Sequence, residues 1–475
     1  MDLIPHVIDG REVESASGAR FTTVDPWTQA PYAEVALGSA VDADRAVTAA
    51  RRAFDSGPWP RMGFAERGAL LHRLGALVEE HADELAMADT RDMGKPITDA
   101  RTKDVPRTAL NFRFFADHAR LATGEVLPMD GGQHAYTLFP PAGVVAAIAP
   151  WNFPLMLESW KVAPALAWGN TVVLKPAEDT PASASLLGRL ALEAGLPPGV
   201  LNVLHGYGPD SAGAALTEHR GVDRITFTGE SGTGRAIARA ASANLVPVSL
   251  ELGGKGANLV FADADLDNAV DWSIKAIFSN AGQVCLAGAR LYVQSDVYDE
   301  FVHRFTAAAE ALVVGDPKDP STQLGPLASE EHYKKVRGYF DDVSSGVGTL
   351  ATGGLGDGWL VRPTVVLDAP LDSRVVREEV FGPIVTVHPF DTEQDGIALA
   401  NDTRFGLNAM VFTDNLARAH RVSAALRVGT VWVNCFFVRD LRAPFGGVGD
   451  SGVGREGGTF SREFFTEPKA VVMQL

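Results

Sequence analysis

Ile225-Thr226-Phe227-Thr228-Gly229-Glu230-Ser231-Gly232-Thr233-Gly234 passes from a β-branched strand, through glycines, into a helix rich in Ala and Arg. Glycines at such a junction let backbone N–H groups approach a phosphate, where a helix N-terminus favours negative charge. The order is not G-x-G-x-x-G, so spacing alone leaves two readings open, a phosphate site and a tight strand-to-helix turn. Leu204-His205-Gly206-Tyr207-Gly208 is a second glycine turn with the same ambiguity. Short apolar or β-branched runs at 144–149, 171–174, 201–204, 225–228 and 258–261 are interleaved with helix-like stretches such as 181–194 and 232–242. That alternation predicts an α/β fold with a parallel sheet covered by helices, as in Rossmann-type dinucleotide-binding domains.

Outward from this core, Leu70, Leu74, Leu77, Val78 and Leu85 recur near helical spacing over residues 66–89, and Gly94 with Pro96 supplies a stop. A second α/β pattern begins beyond Ala281, with strands expected at 291–293, 365–367 and 430–434 and a boundary near Gly253-Gly254. Residues 466–474 read as a strand able to extend a partner's sheet. A chain of 475 residues accommodates about two or three domains.

Acids outnumber Lys and Arg, 59 to 42, a net charge of −17 that argues against nucleic-acid or anionic-membrane partners. Met1-Asp2-Leu3-Ile4-Pro5-His6 lacks the basic start and apolar block of a signal peptide, and no apolar run is long enough to span a bilayer. Two cysteines exclude a disulfide framework and suit a reducing cytoplasm. The eleven histidines form no HxH or HExxH pattern and CxxC is missing, so no dedicated metal site is expected.

Three short stretches carry chemistry. In Asn280-Ala281-Gly282-Gln283-Val284-Cys285-Leu286-Ala287-Gly288 a cysteine stands among small residues, where a reactant can approach the sulfur, although a free cysteine is ordinarily a small buried hydrophobe. In Ser249-Leu250-Glu251-Leu252-Gly253-Gly254-Lys255 a carboxylate lies between leucines, where partial burial raises its pKa toward that of a general base. In Pro150-Trp151-Asn152-Phe153-Pro154 an amide is held between prolines, suiting a fixed oxyanion donor, or simply a turn.

Together with Lys175-Pro176-Ala177-Glu178 and Glu378-Glu379-Val380-Phe381-Gly382-Pro383, these elements resemble the signature set of the aldehyde dehydrogenase superfamily, in order from about residue 6 to residue 470. The resemblance implies that Cys285 is the nucleophile, Glu251 the base for deacylation, and Asn152 with the Cys285 backbone N–H the oxyanion hole. It implies NAD as cofactor, held by Lys175 and Glu178 at the adenosine ribose, Glu379 and Phe381 at the nicotinamide side, and Gly229, Ser231, Trp151 and Leu252 between. A carboxylate at Glu178 disfavours a 2′-phosphate, hence NAD over NADP. It further implies an NAD-binding domain over 1–118 and 142–253, a catalytic domain over 254–452, and a small β oligomerisation arm from 119–141 and 453–475 that joins a homodimer or homotetramer.

Asn434-Cys435-Phe436-Phe437-Val438-Arg439-Asp440-Leu441-Arg442-Ala443-Pro444-Phe445-Gly446-Gly447 and Asp104-Val105-Pro106-Arg107 resemble the subfamily acting on 2-hydroxymuconate or 2-aminomuconate semialdehyde. Arg107 and Arg439 match tunnel positions that are apolar in many simple-aldehyde enzymes, with Phe153, Trp160 and Phe445 as further substrate contacts. Two guanidiniums there favour a small-molecule aldehyde bearing a distant carboxylate, unless each pairs with a neighbouring acid such as Asp104 or Asp440. A broad-specificity or betaine-type enzyme and a non-catalytic nucleotide-binding relative are the alternatives. Glu158, just after the oxyanion stretch, counts against an anionic substrate if it faces the tunnel.

Overall fold

A computed structural model describes residues 1–474. Its largest sheet has eight strands, in the order Gly452–Val453, Val248–Glu251, Arg224–Thr228, Val144–Ile148, Thr171–Lys175, Leu201–Val203, His6–Ile8 and Arg11–Val13. From Val248–Glu251 to Leu201–Val203 neighbouring strands run parallel; the strands outside these are antiparallel additions. The central strands are apolar on both faces because both are covered. Val145 and Ala147 pack into one core with Leu155, Trp160, Leu166 and Phe115, while Val144, Ala146 and Ile148 pack into another with Ala43, Ala46 and Ile237.

The second sheet has seven strands, in the order Thr349–Leu355, Val361–Leu367, Ile384–Phe390, Arg290–Gln294, Ala257–Val260, Asn408–Phe412 and Thr430–Val433. All its pairs are parallel except the first. The chain therefore adopts the α/β architecture expected from the alternation of apolar runs and helices, with one correction. The 258–261 run reads with the strands of the first sheet although it lies beyond the expected boundary near Gly253-Gly254; Ala257–Val260 is a strand of the second sheet, between Arg290–Gln294 and Asn408–Phe412. A run of Ala, Leu and Val carries no label for the sheet it joins; the crossing is made by Leu252 to Gly256, where glycines predominate.

The single helix expected over 66–89 is two, Phe64–Glu80 and Ala82–Met93, broken at His81. Gly94, in left-handed conformation at φ 74°, ends the second. In a third sheet Lys469–Gln474 pairs antiparallel with Gln133–Leu138, which pairs with Val126–Leu127, and Val126, Leu127, Leu138, Val472 and Met473 are exposed on it. Among the described residues no helix is long and apolar enough to cross a membrane.

The strand order sets where a site can form. From Val144–Ile148 the chain adds Thr171–Lys175 and Leu201–Val203 on one side, then returns to add Arg224–Thr228 and Val248–Glu251 on the other. The crevice at the carboxyl ends of the strands, where this order reverses, is the usual ligand position in such sheets.

Candidate active site

Four of the expected residues stand at those carboxyl ends. Asn152 follows Val144–Ile148, Lys175 ends its strand, Gly229 follows Arg224–Thr228, and Glu251 ends Val248–Glu251. The Gly229 N–H donates to the Glu251 carbonyl, 3.0 Å away, tying the last two together. Facing them are loops that precede second-sheet strands: Gly253-Gly254 before Ala257, Gln283 to Cys285 before Arg290, and Glu379 to Phe381 before Ile384.

The stretch leading to Cys285 has an unusual backbone. Asn280, Ala281 and Gly282 are all left-handed, at φ 52°, 53° and 70°. Such conformations are unfavourable for non-glycine residues and persist only where surroundings enforce them. Here the enforcement is a buried amide network. Asn280 Nδ2 donates to the Asn152 carbonyl at 2.8 Å, Gln283 Nε2 donates to the Asn280 carbonyl at 3.1 Å, and Gln283 Oε1 accepts the Ala328 N–H at 2.9 Å. Asn152 Nδ2 donates to the Gln283 carbonyl at 2.8 Å, so one N–H of that amide locks it to the cysteine loop while the other stays available. Gly254 must be glycine, since a Cβ there would collide with the Cys285 carbonyl.

Cys285 is half-buried, and burial, with the Glu379 and Glu251 carboxylates, pushes its thiol up to about 12, while Arg439 acts in the opposite direction. Glu251 is buried, and neither carboxylate oxygen is hydrogen-bonded within the described residues. Burial and the neighbouring Glu456 raise it well above the ordinary carboxylate range, against Lys161, Arg439 and Arg455. Gly446, at φ 146°, backs this carboxylate closely: a Cβ there would lie 2.6 Å from Glu251 Oε1.

On the other flank, Glu379 Oε1 accepts the Gly254 N–H at 2.7 Å, and a side chain on Gly253 would strike the same carboxylate. Burial pushes Glu379 up to about 7. Phe381, left-handed at φ 60°, meets the Trp151 ring edge-on at 5.3 Å. Lys175 is buried with its Nζ 2.9 Å from the Pro176 carbonyl and 3.6 Å from Glu178 Oε2. Ser231 opens the helix Ser231–Ser242 and donates to the Asp450 carbonyl at 2.8 Å. Leu252 packs so tightly on that helix that a Cβ on Gly234 would lie 2.5 Å from it. These groups fit a dinucleotide: an amine beside a carboxylate for ribose hydroxyls, a glycine-lined helix start for phosphates, and a carboxylate and aromatic ring nearest the cysteine.

The two arginines lie together at Trp160. The Arg439 guanidinium stands 4.2 Å over the Trp160 ring and 3.8 Å over the Phe445 ring, and Arg107 lies 6.0 Å from the Trp160 ring. Neither forms an ion pair among the described residues. Asp440 is taken by Arg442 at 2.6 Å and Asp104 by Lys95, which also sits 3.7 Å over the Phe153 ring. Among the described residues Arg107 donates only to Asn111 Oδ1, at 3.2 Å. It emerges from a π-helical turn, Ala100–Asp104, that re-aims the start of helix Val105–Arg120. Phe153, Cys285 and Cys435 pack against one apolar core that includes Phe436 and Phe445. Glu158 is wholly enclosed, and burial, with the nearby Asp89 and Asp92, raises it well above the usual carboxylate range.

Some residues here were invisible in the sequence. Glu456 Oε1 accepts from Lys161 Nζ at 3.2 Å and Thr226 Oγ1 at 3.1 Å, and its Oε2 accepts from Trp160 Nε1 at 2.6 Å. These residues are up to 296 positions apart, so no local pattern links them. His332, which bonds the Phe381 carbonyl at 2.7 Å, carried no local signal either.

With this geometry in view, the chain matches the aldehyde dehydrogenase family over residues 13–471. It is 47% identical to a 2-hydroxymuconic semialdehyde dehydrogenase of Pseudomonas sp. (strain CF600) over the whole of both chains. It is 48% identical to aldehyde dehydrogenase family 2 member B4, mitochondrial, of Arabidopsis thaliana, covering 99% of this chain and 88% of that one. An NAD+ complex of an aldehyde dehydrogenase from Bacillus cereus superposes with a TM-score of 0.97 at 40% identity, covering 99% and 96% of the two chains. The chain belongs to the aldehyde dehydrogenase family and is an NAD-dependent oxidoreductase.

Proposed function

We propose that this enzyme oxidises an aldehyde carrying a carboxylate at its far end, of the 2-hydroxymuconate semialdehyde type, to the acid through a thioester on Cys285. The observation that carries the substrate class is the pair Arg107 and Arg439, set on Trp160 without an acid of their own. Desolvated guanidiniums are costly unless an anion meets them, and a carboxylate is their bidentate complement. The names of several relatives, including a 2-aminomuconic 6-semialdehyde dehydrogenase at 46% identity, agree with that class. A benzaldehyde dehydrogenase of Antirrhinum majus is 45% identical, so overall likeness does not choose between substrates.

In this reading Cys285 attacks the aldehyde carbon as its thiolate, favoured by Arg439 against the two carboxylates. The oxygen takes up negative charge between Asn152 Nδ2 and the Cys285 N–H, held in place by the network around Gln283. Lys175, Glu178, Gly229, Ser231, Trp151, Leu252, Glu379 and Phe381 would hold NAD, which would supply the hydride acceptor for this carbon. Glu251 then removes a proton from water, whose oxygen displaces the sulfur and releases the acid. The division into an NAD-binding domain (1–118 and 142–253), a catalytic domain (254–452) and an arm (119–141 and 453–475) belongs to the same proposal. So do a homodimer or homotetramer joined through the exposed apolar residues of the third sheet, and a cytoplasmic location.

The test compares NAD reduction with 2-hydroxymuconate semialdehyde, acetaldehyde and betaine aldehyde. The proposal expects kcat/KM to be highest for the first. Preference for acetaldehyde or betaine aldehyde would assign the broad-specificity or betaine-type activity instead, and no turnover of any aldehyde would point to a nucleotide-binding relative without catalysis.

A further inference from the structure

Two cations at one ring need something to hold them. No acid within 4.0 Å of Arg107 or Arg439 does so among the described residues; aromatic rings do, and one ring serves both. Arg439 lies 4.2 Å and Arg107 6.0 Å from the centre of the Trp160 ring, while the ring's edge donates Nε1–H to Glu456 at 2.6 Å. Glu456 is buried and also accepts from Lys161 and Thr226, so its carboxylate is fixed in place. A short hydrogen bond to a carboxylate draws the indole proton away and pushes electron density onto the ring face, where cations are attracted. Lys161 offsets part of the charge of Glu456 at close range, and no ion pair within 4.0 Å joins Glu456 to Arg439 or Arg107 among the described residues.

We propose that Trp160 is a positioning residue for substrate specificity in this enzyme: its ring, polarised through Nε1 by Glu456, holds Arg439 and Arg107 so that the terminal nitrogens of both stay free for a carboxylate. One Arg439 terminal nitrogen, Nη2, is buried without a partner, as a group kept free for a ligand would be. A direct acid in place of the ring would occupy the same donors and close the subsite. The inference rests on the carboxylated-aldehyde reading above, and its test separates the two.

Three variants are compared with wild type: Trp160→Phe, which keeps a ring face but removes the Nε1 donor; Glu456→Gln, which weakens the acceptor while leaving Trp160 intact; and Arg439→Met, which tests the substrate reading itself. Each is measured with 2-hydroxymuconate semialdehyde and with hexanal, and adipate, a dicarboxylate that cannot react, is titrated by calorimetry. Trp160→Phe is expected to raise KM for the carboxylated aldehyde and Kd for adipate about tenfold. Its effect on KM for hexanal is expected to be at most about a third of that, with Glu456→Gln falling between wild type and Trp160→Phe. Equal losses with both aldehydes, or unchanged adipate binding in both Trp160→Phe and Glu456→Gln, would overturn the role of Trp160 while a selective loss in Arg439→Met left the substrate reading standing. An unselective Arg439→Met would overturn both. Should Trp160→Phe fail to fold, Glu456→Gln with adipate decides alone.

Discussion

Replacing Gly446 with alanine would test the role of Glu251 without touching a reactive group. A Cβ at this position would lie 2.6 Å from Glu251 Oε1, 2.9 Å from the Gly454 carbonyl and 3.1 Å from Arg455 Cδ. Ordinary contact begins at 3.4 Å, so the carboxylate must retreat by 0.8 Å, the difference between the two distances. The backbone resists as well, since φ 146° is a glycine conformation and strain there costs about 1–3 kcal/mol. A misplacement of about 1 Å in a reacting group can cost about a hundredfold in rate. Stopped-flow fluorescence of NADH separates the first turnover, assigned in the proposed mechanism to Cys285 and Asn152, from the steady state, assigned to Glu251 once deacylation limits. Gly446→Ala should keep a burst near one NADH per active site while steady-state kcat falls about 30- to 100-fold, approaching Glu251→Gln. Loss of burst and steady state in equal measure, or unchanged steady-state turnover in a folded variant, would refute the assignment of Glu251 to the water step.

Other outcomes follow from the same geometry. Cys285→Ser should lose aldehyde oxidation while NAD affinity by fluorescence titration stays within about threefold; retained turnover would remove the thioester. Because burial raises Glu251, its ionised form is gained only as pH rises past the ordinary carboxylate range, so the steady-state rate should climb with pH above that range and lose that slope in Glu251→Gln. For Glu158, a raised folded pKa makes its stabilising protonated form complete below the ordinary carboxylate range and lost as pH rises through the folded value. Thermal melts should therefore show Glu158→Gln gaining on wild type as pH increases, and a pH-independent difference would place the charge elsewhere. Glu178→Ser should improve use of NADP relative to NAD by about tenfold, and an unchanged ratio would free Glu178 from cofactor choice.

What the amino-acid sequence revealed was local. The strand-turn-helix at 225–242 and the runs at 144–149 and 171–174 carry their period and their glycines within a dozen residues, and the parallel sheet followed from them. Asn152, Glu251 and Cys285 stood out because each lies in a short motif of small, rigid or apolar neighbours. The residues that hold them did not. The sheet joined by Ala257–Val260, the break at His81, the Lys161–Glu456 pair and the close approach of Gly446 all depend on partners far along the chain. The fate of the arginines was likewise undecidable until Asp440 and Asp104 were seen engaged by Arg442 and Lys95.

The passage from Leu252 to Gly256 is a seam, since Glu251 terminates one sheet and Cys285 precedes a strand of the other. Chimaeras that join front and back halves of two homologues at this point would interrupt no helix or strand and should fold readily. They would nevertheless set the Cys285 loop of one lineage against the Glu251 strand of another, so hybrid libraries cut there should yield many well-behaved proteins of which few turn over.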